Sequence, residues 1–98
     1  MLIRTVRMTF RPEEVDHFLA IFEASKEKIR HFEGCHHLTL WQDYHASNVF
    51  TTYSYWEDES ALNKYRDSQL FKEVWAQTKV LFAEKPVAQS QKKLLEVL

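Results

Sequence analysis

Apolar and polar residues alternate from the start of the chain. Leu2, Val6, Met8 and Phe10 share one parity; Ile3, Thr5, Arg7 and Thr9 share the other. A period of two with frequent β-branching predicts a strand. The period then lengthens. Val15, Phe18, Leu19, Phe22 and Ile29 recur at helical spacing. Pro12 suits a first helical turn, and Glu13 and Glu14 complement its positive end. Lys26, Lys28 and Arg30 fall in the last turns, where cations are favoured, and Gly34 supplies the left-handed residue expected at the stop.

Alternation resumes over 35–42 and over "VFTTYSYW", with the polar loop "DYHASN" between. Two strands joined by so short a loop form an antiparallel hairpin. "EDES" opens a second helix through Ala61, Leu62 and Tyr65, which "RDSQ" interrupts. Ser68 is a plausible cap for the longer piece carrying Leu70, Phe71, Val74, Trp75, Thr78, Leu81 and Phe82, with Pro86 as its stop. A last strand is expected from about Val87.

The order β-α-β-β-α-β in one short chain predicts an α+β, ferredoxin-like domain over 1–98. Its four-stranded antiparallel sheet carries the helices on one face. Helices cover only that face, yet the strands are apolar on both. Phe50 and Trp56 oppose Tyr53 and Tyr55, and Leu38 and Leu40 oppose Trp41. Each large aromatic buries about 150–250 Å². Four or five of them represent a gross burial of roughly 20 kcal/mol. A homodimer that stacks these faces into a shared barrel is the expected solution.

Composition narrows the function classes. Thirteen Lys and Arg against fourteen Asp and Glu leave a net charge of −1, without a basic patch for nucleic acid. No apolar run spans a membrane, and the N-terminus lacks the apolar core of a secretory signal, so a cytoplasmic protein is expected. The single cysteine excludes an internal disulfide framework, and the single glycine excludes a glycine-rich phosphate loop. No flavin, nicotinamide or metal motif is present, so no cofactor is expected.

The stretch "FEGCHHLTLWQD" raises the main chemical question. Strand alternation from Cys35 places Cys35, His37, Thr39 and Trp41 on one face and His36, Leu38 and Leu40 on the other. Three consecutive residues cannot close on one metal. Cys35 is expected as a small buried residue, with a thiol nucleophile beside His37 as the sharper alternative. Tyr65 and Trp75 flank the helix break, where a pocket has room to form; each is otherwise plain core. Arg7 either lines a pocket or edges a dimer contact. His17, His31 and His45 read as solvated surface.

"RPEEVDHF", "FEGCHHLTLWQD" and "VFTTYSYWEDESALNKYRDSQLF", taken with the strand order, resemble the antibiotic biosynthesis monooxygenase family. The resemblance extends over nearly the whole chain and implies a dimeric α+β barrel. The family includes cofactor-free monooxygenases of polyaromatic phenols, haem-degrading enzymes and isomerases of signalling metabolites. Positions that carry Asn, Trp and His in the haem-degrading branch fall here on Val6, Tyr65 and Trp75, which argues against haem degradation. The resemblance implies a cofactor-independent monooxygenase of a small electron-rich aromatic, such as a phenol, quinol or anthrone. In that scheme Tyr65 holds the developing oxyanion. His36 or His37 accepts the proton, and Val6, Met8, Phe71 and Trp75 line the substrate pocket. The alternatives are a non-catalytic small-ligand or stress-response protein on the same barrel, and haem binding without efficient degradation.

Overall fold

The chain begins with β1 (Leu2–Thr9) and a tight helical turn at Pro12–Glu14, followed by α1 (Val15–Arg30). The hairpin β2 (Cys35–Gln42) and β3 (Val49–Trp56) comes next, then α2 (Glu59–Arg66), α3 (Gln69–Lys79) and β4 (Val87–Gln91). These elements come from a computed structural model that describes all 98 residues. The four strands are antiparallel in the order β2-β3-β1-β4. This is the ferredoxin-like arrangement expected from the chain order.

Local chemistry explains most element ends. Asp58 caps α2 by accepting from the Ala61 amide at 2.8 Å. Ser68 caps α3 by accepting from the Phe71 amide at 3.1 Å, so the helix break expected at "RDSQ" is real. Asp43 Oδ2 closes the hairpin loop by accepting from the amides of His45 (3.1 Å) and Ala46 (3.0 Å). Two endings differ from expectation. α1 stops at Arg30, and Gly34 (φ +87°) instead turns the chain into β2. α3 stops at Lys79, well before Pro86, because Leu81 and Phe82 leave the helix to pack on β1, where Phe82 bridges Phe10.

Gly34 is required twice over. Its φ lies where only glycine is comfortable, and a Cβ there would come within 2.5 Å of the Ala61 Cβ. The start of β2 therefore rests directly against the start of α2. The Glu57 amide also donates to the Gly34 carbonyl at 2.8 Å.

The helix face of the sheet holds two cores. Met8, Phe10, Phe18, Ile21, Phe50 and Leu81 form the larger one, with the Phe10 and Phe18 rings stacked at 4.1 Å. Cys35, Trp56 and Leu62 form the smaller, with Phe32 and Tyr65 against it. Nothing in the single chain covers the other face. It carries an aromatic cluster in which Trp41 stacks on Tyr53 at 4.5 Å and His37 lies 4.8 Å from Tyr55. Threonines and the exposed Arg7 fill the rest of that face.

The start of β2 departs from simple alternation. Cys35 pairs with Trp56 but His37 pairs with Tyr55, so His36 is an extra residue in a bulge. The expectation that Cys35 and His37 share a face is therefore corrected. Cys35 is buried on the helix side, whereas His37 is on the uncovered side.

Candidate active site

β1, β3, α1, α2 and α3 line a cavity of about 310 Å³ on the helix side of the sheet. That volume is at the small end of the range for ligand sites. Val6 and Met8 form its floor from β1, because even-numbered residues of that strand point to the helices. Thr52, Ser54 and Trp56 continue the floor on β3, while Phe71, Val74 and Trp75 form the roof from α3. Tyr65, from the last turn of α2, lines the wall at the helix break.

An aromatic ladder holds this wall in place. Tyr65 stacks on Trp56 with centroids 4.8 Å apart and an interplanar angle of 23°. Phe71 meets Tyr65 edge-on at 5.2 Å and stacks on Trp75 at 5.8 Å. Trp56 is itself fixed, since its indole N–H donates to Ser54 Oγ at 3.0 Å.

The Tyr65 phenol has no hydrogen-bond partner within the chain; its backbone carbonyl accepts from the Ser68 amide and from Ser68 Oγ. No fully buried side-chain polar atom is left unsatisfied, so this phenol oxygen keeps access to open space. Burial, with a smaller contribution from nearby Cys35, pushes the phenol pKa well above its ordinary value. At neutral pH Tyr65 is therefore a hydrogen-bond donor and not a base.

The cavity's charges were absent from the sequence reading. Arg4 and Arg66 both line it. Arg4 donates to Ser90 Oγ at 3.0 Å. Burial first, and the Arg66 charge second, draw its pKa below the ordinary value. The signal for Arg4 was available in the sequence, because it has the same strand parity as Val6 and Met8. Arg66 ends α2 and carried no comparable signal.

Five of the seven residues expected at the site meet here: Tyr65, Val6, Met8, Phe71 and Trp75. His36 and His37 do not. His36 is displaced by the bulge onto the surface, where its Nε2 pairs with Glu57. His37 faces the uncovered side of the sheet, and its Nε2 contacts Thr39 Oγ1 at 2.9 Å. No imidazole or carboxylate lines the cavity, so it offers neither a conventional base nor a histidine ligand to a haem iron. Cys35 is buried with its thiol pKa raised by burial. A thiol in that setting is a poor nucleophile. With His37 across the sheet, the two cannot share a metal.

A family model described as antibiotic biosynthesis monooxygenase matches residues 1–77. The chain belongs to that family. Solved structures carry the same fold. One antibiotic biosynthesis monooxygenase is 19% identical with a TM-score of 0.91, covering 97% of this chain and 100% of that one. A conserved protein from Methanosarcina mazei Go1 is 23% identical with a TM-score of 0.88, covering 95% and 93%. Rv0793 from Mycobacterium tuberculosis is 18% identical with a TM-score of 0.89, covering 99% and 98%. Among curated proteins no match is found. No helix is long and apolar enough to cross a membrane.

Proposed function

We propose that this family member is a cofactor-independent monooxygenase of a small electron-rich aromatic, working as a homodimer. The observation that carries the reading is the free Tyr65 phenol, a protonated donor held by an aromatic stack on the wall of an apolar cavity. A phenol, quinol or anthrone would lie between the Val6–Met8 floor and the Phe71–Trp75 roof. Its oxygen would accept from Tyr65 Oη. As the substrate loses its proton, negative charge grows on that oxygen, and a fixed donor in a dry site stabilises it.

The resulting carbanion reduces dioxygen at carbon. For an anthrone, the methylene carbon gains one oxygen atom of O₂ as a carbonyl, and the other leaves as water with the two methylene hydrogens. No outside reductant is needed. Because His36 and His37 lie outside the cavity, this reading gives neither the proton step. The proton passes to solvent, and the cavity acts by making the substrate more acidic.

The proposed dimer rests on the uncovered sheet face. Trp41 is 48% exposed there, beside Tyr53 and Tyr55. The chain's last residues add Leu94, Leu95, Val97 and Leu98, all exposed. A second copy would remove these apolar groups from water.

Oxygen uptake with a panel of anthrones and hydroquinones tests the activity. The parent protein should exceed the buffer rate, and Tyr65→Phe should lose about 100-fold of that excess, the scale of one oxyanion donor. Parent rates equal to buffer across the panel reject the monooxygenase. The absence of a base among the lining residues favours one alternative, a ligand-binding protein without turnover. That outcome would show as saturable binding with no oxygen uptake.

A further inference from the structure

The cavity contains more positive charge than an apolar site for a neutral aromatic requires. Arg4 lines it from the middle of β1, and Arg66, an exposed residue at the end of α2, lines its edge. Neither guanidinium belongs to any of the chain's ion pairs, all of which involve lysine or histidine. Arg4 spends one donor on Ser90 and keeps the rest. Arg66 makes no side-chain hydrogen bond. Its position in the last turn of α2 is electrostatically comfortable, but that does not account for a second cation lining the same cavity.

Two guanidiniums lining one apolar space repel each other, and the partly buried Arg4 also loses hydration. An anion between them removes both costs. A planar carboxylate matches the arginine fork and accepts two parallel hydrogen bonds from it. The remaining walls are aromatic, and Tyr65 supplies one neutral donor.

We infer that the cavity's ligand is an aromatic carboxylate, its ring between Val6 and Trp75 and its carboxylate between Arg4 and Arg66. The inference rests on the reading above that this cavity is the ligand site, and it specifies the class of molecule that fills it. A hydroxyl near the carboxylate would fall within reach of Tyr65. A hydroxylated aromatic acid therefore satisfies all three polar groups together.

The test compares 1-hydroxy-2-naphthoate with its methyl ester, which keeps the rings and hydroxyl but not the charge. Binding is followed by quenching of tryptophan fluorescence, since Trp56 and Trp75 both line the cavity. The acid should bind about 10–100-fold tighter than the ester, as expected for charge-assisted hydrogen bonds. Arg4→Gln and Arg66→Gln should each remove most of that preference, with circular dichroism and thermal unfolding showing that both variants are folded. Equal binding of acid and ester, or a preference that survives both substitutions, overturns the anion site while leaving the aromatic cavity standing. Failure of both compounds to bind overturns the cavity reading and this inference together.

Discussion

Tyr65 stacks on Trp56 with ring centroids 4.8 Å apart, joining the broken helix to the sheet and leaving the phenol oxygen free. The ring and the hydroxyl therefore have separable jobs. Tyr65→Phe keeps the stack and should change stability by less than about 1 kcal/mol. Tyr65→Ala removes a largely buried ring from the smaller core and should cost about 3 kcal/mol. Urea denaturation of the two variants separates these effects. A large loss in Tyr65→Phe would mean that the hydroxyl has a structural partner.

The same phenol predicts an alkaline signature. Its pKa is raised in the folded state above the roughly 10 of an unfolded chain. The protonated form is thus favoured by folding. Its contribution to stability is complete below about pH 10 and is lost as pH rises above that value toward the folded pKa. Absorbance titration near 295 nm should show a late-ionising fraction among the four tyrosines. Tyr65→Phe should diminish that fraction. Tyr53, whose pKa is also raised, through its hydrogen bond with Tyr55, should supply the remainder.

Gly34→Ala should destabilise the fold by about 2 kcal/mol, through its positive φ and the approach to Ala61. Adding Ala61→Gly relieves the contact but not the backbone strain, so the double variant should recover only part of the loss. Thermal unfolding of the set measures both contributions. Full recovery would place the whole cost in the contact.

The histidines of β2 should be dispensable for binding in the cavity. His36→Ala breaks a surface pair with Glu57 in which both side chains are about half exposed. Such pairs contribute about 0–1 kcal/mol. His36→Ala and His37→Ala should each leave cavity-ligand affinity within about twofold by fluorescence titration. A tenfold loss in either would return an imidazole to the site.

The sequence reading and the structure part at identifiable places. Strands, both helical regions and the break at Ser68 were legible because each depends on local chemistry: alternation, helical period and a capping hydroxyl. Five residues that line the cavity were legible as neighbours because strand parity and the helix break point to one space. The bulge at His36 was not. One inserted residue reverses the parity before it, and alternation alone cannot show which strand of a pair carries the insertion. Cys35 and His37 were therefore placed together, and His36 was placed on the face of Leu38 and Leu40 as one of two candidate bases. Arg4 was overlooked although its parity matched Val6, because a charged residue on a core face reads as an exception. Here the exception marks the cavity's charge.

The uncovered sheet face predicts assembly. Light scattering at micromolar concentration should give the mass of two chains. Trp41→Glu combined with Tyr53→Glu should shift it toward one chain by placing charge in the stacked pair. A parent protein that remains a single chain contradicts the proposed dimer.

The three tryptophans provide the most direct test of where the ligand binds, because Trp56 and Trp75 line the cavity and Trp41 lies on the opposite face of the sheet. Their indole N–H resonances can be followed in a nitrogen-labelled sample titrated with 1-naphthol. The Trp75 and Trp56 signals should move together and saturate while the Trp41 signal stays in place. Movement of Trp41 alone would put the aromatic ligand on the uncovered face and contradict the account.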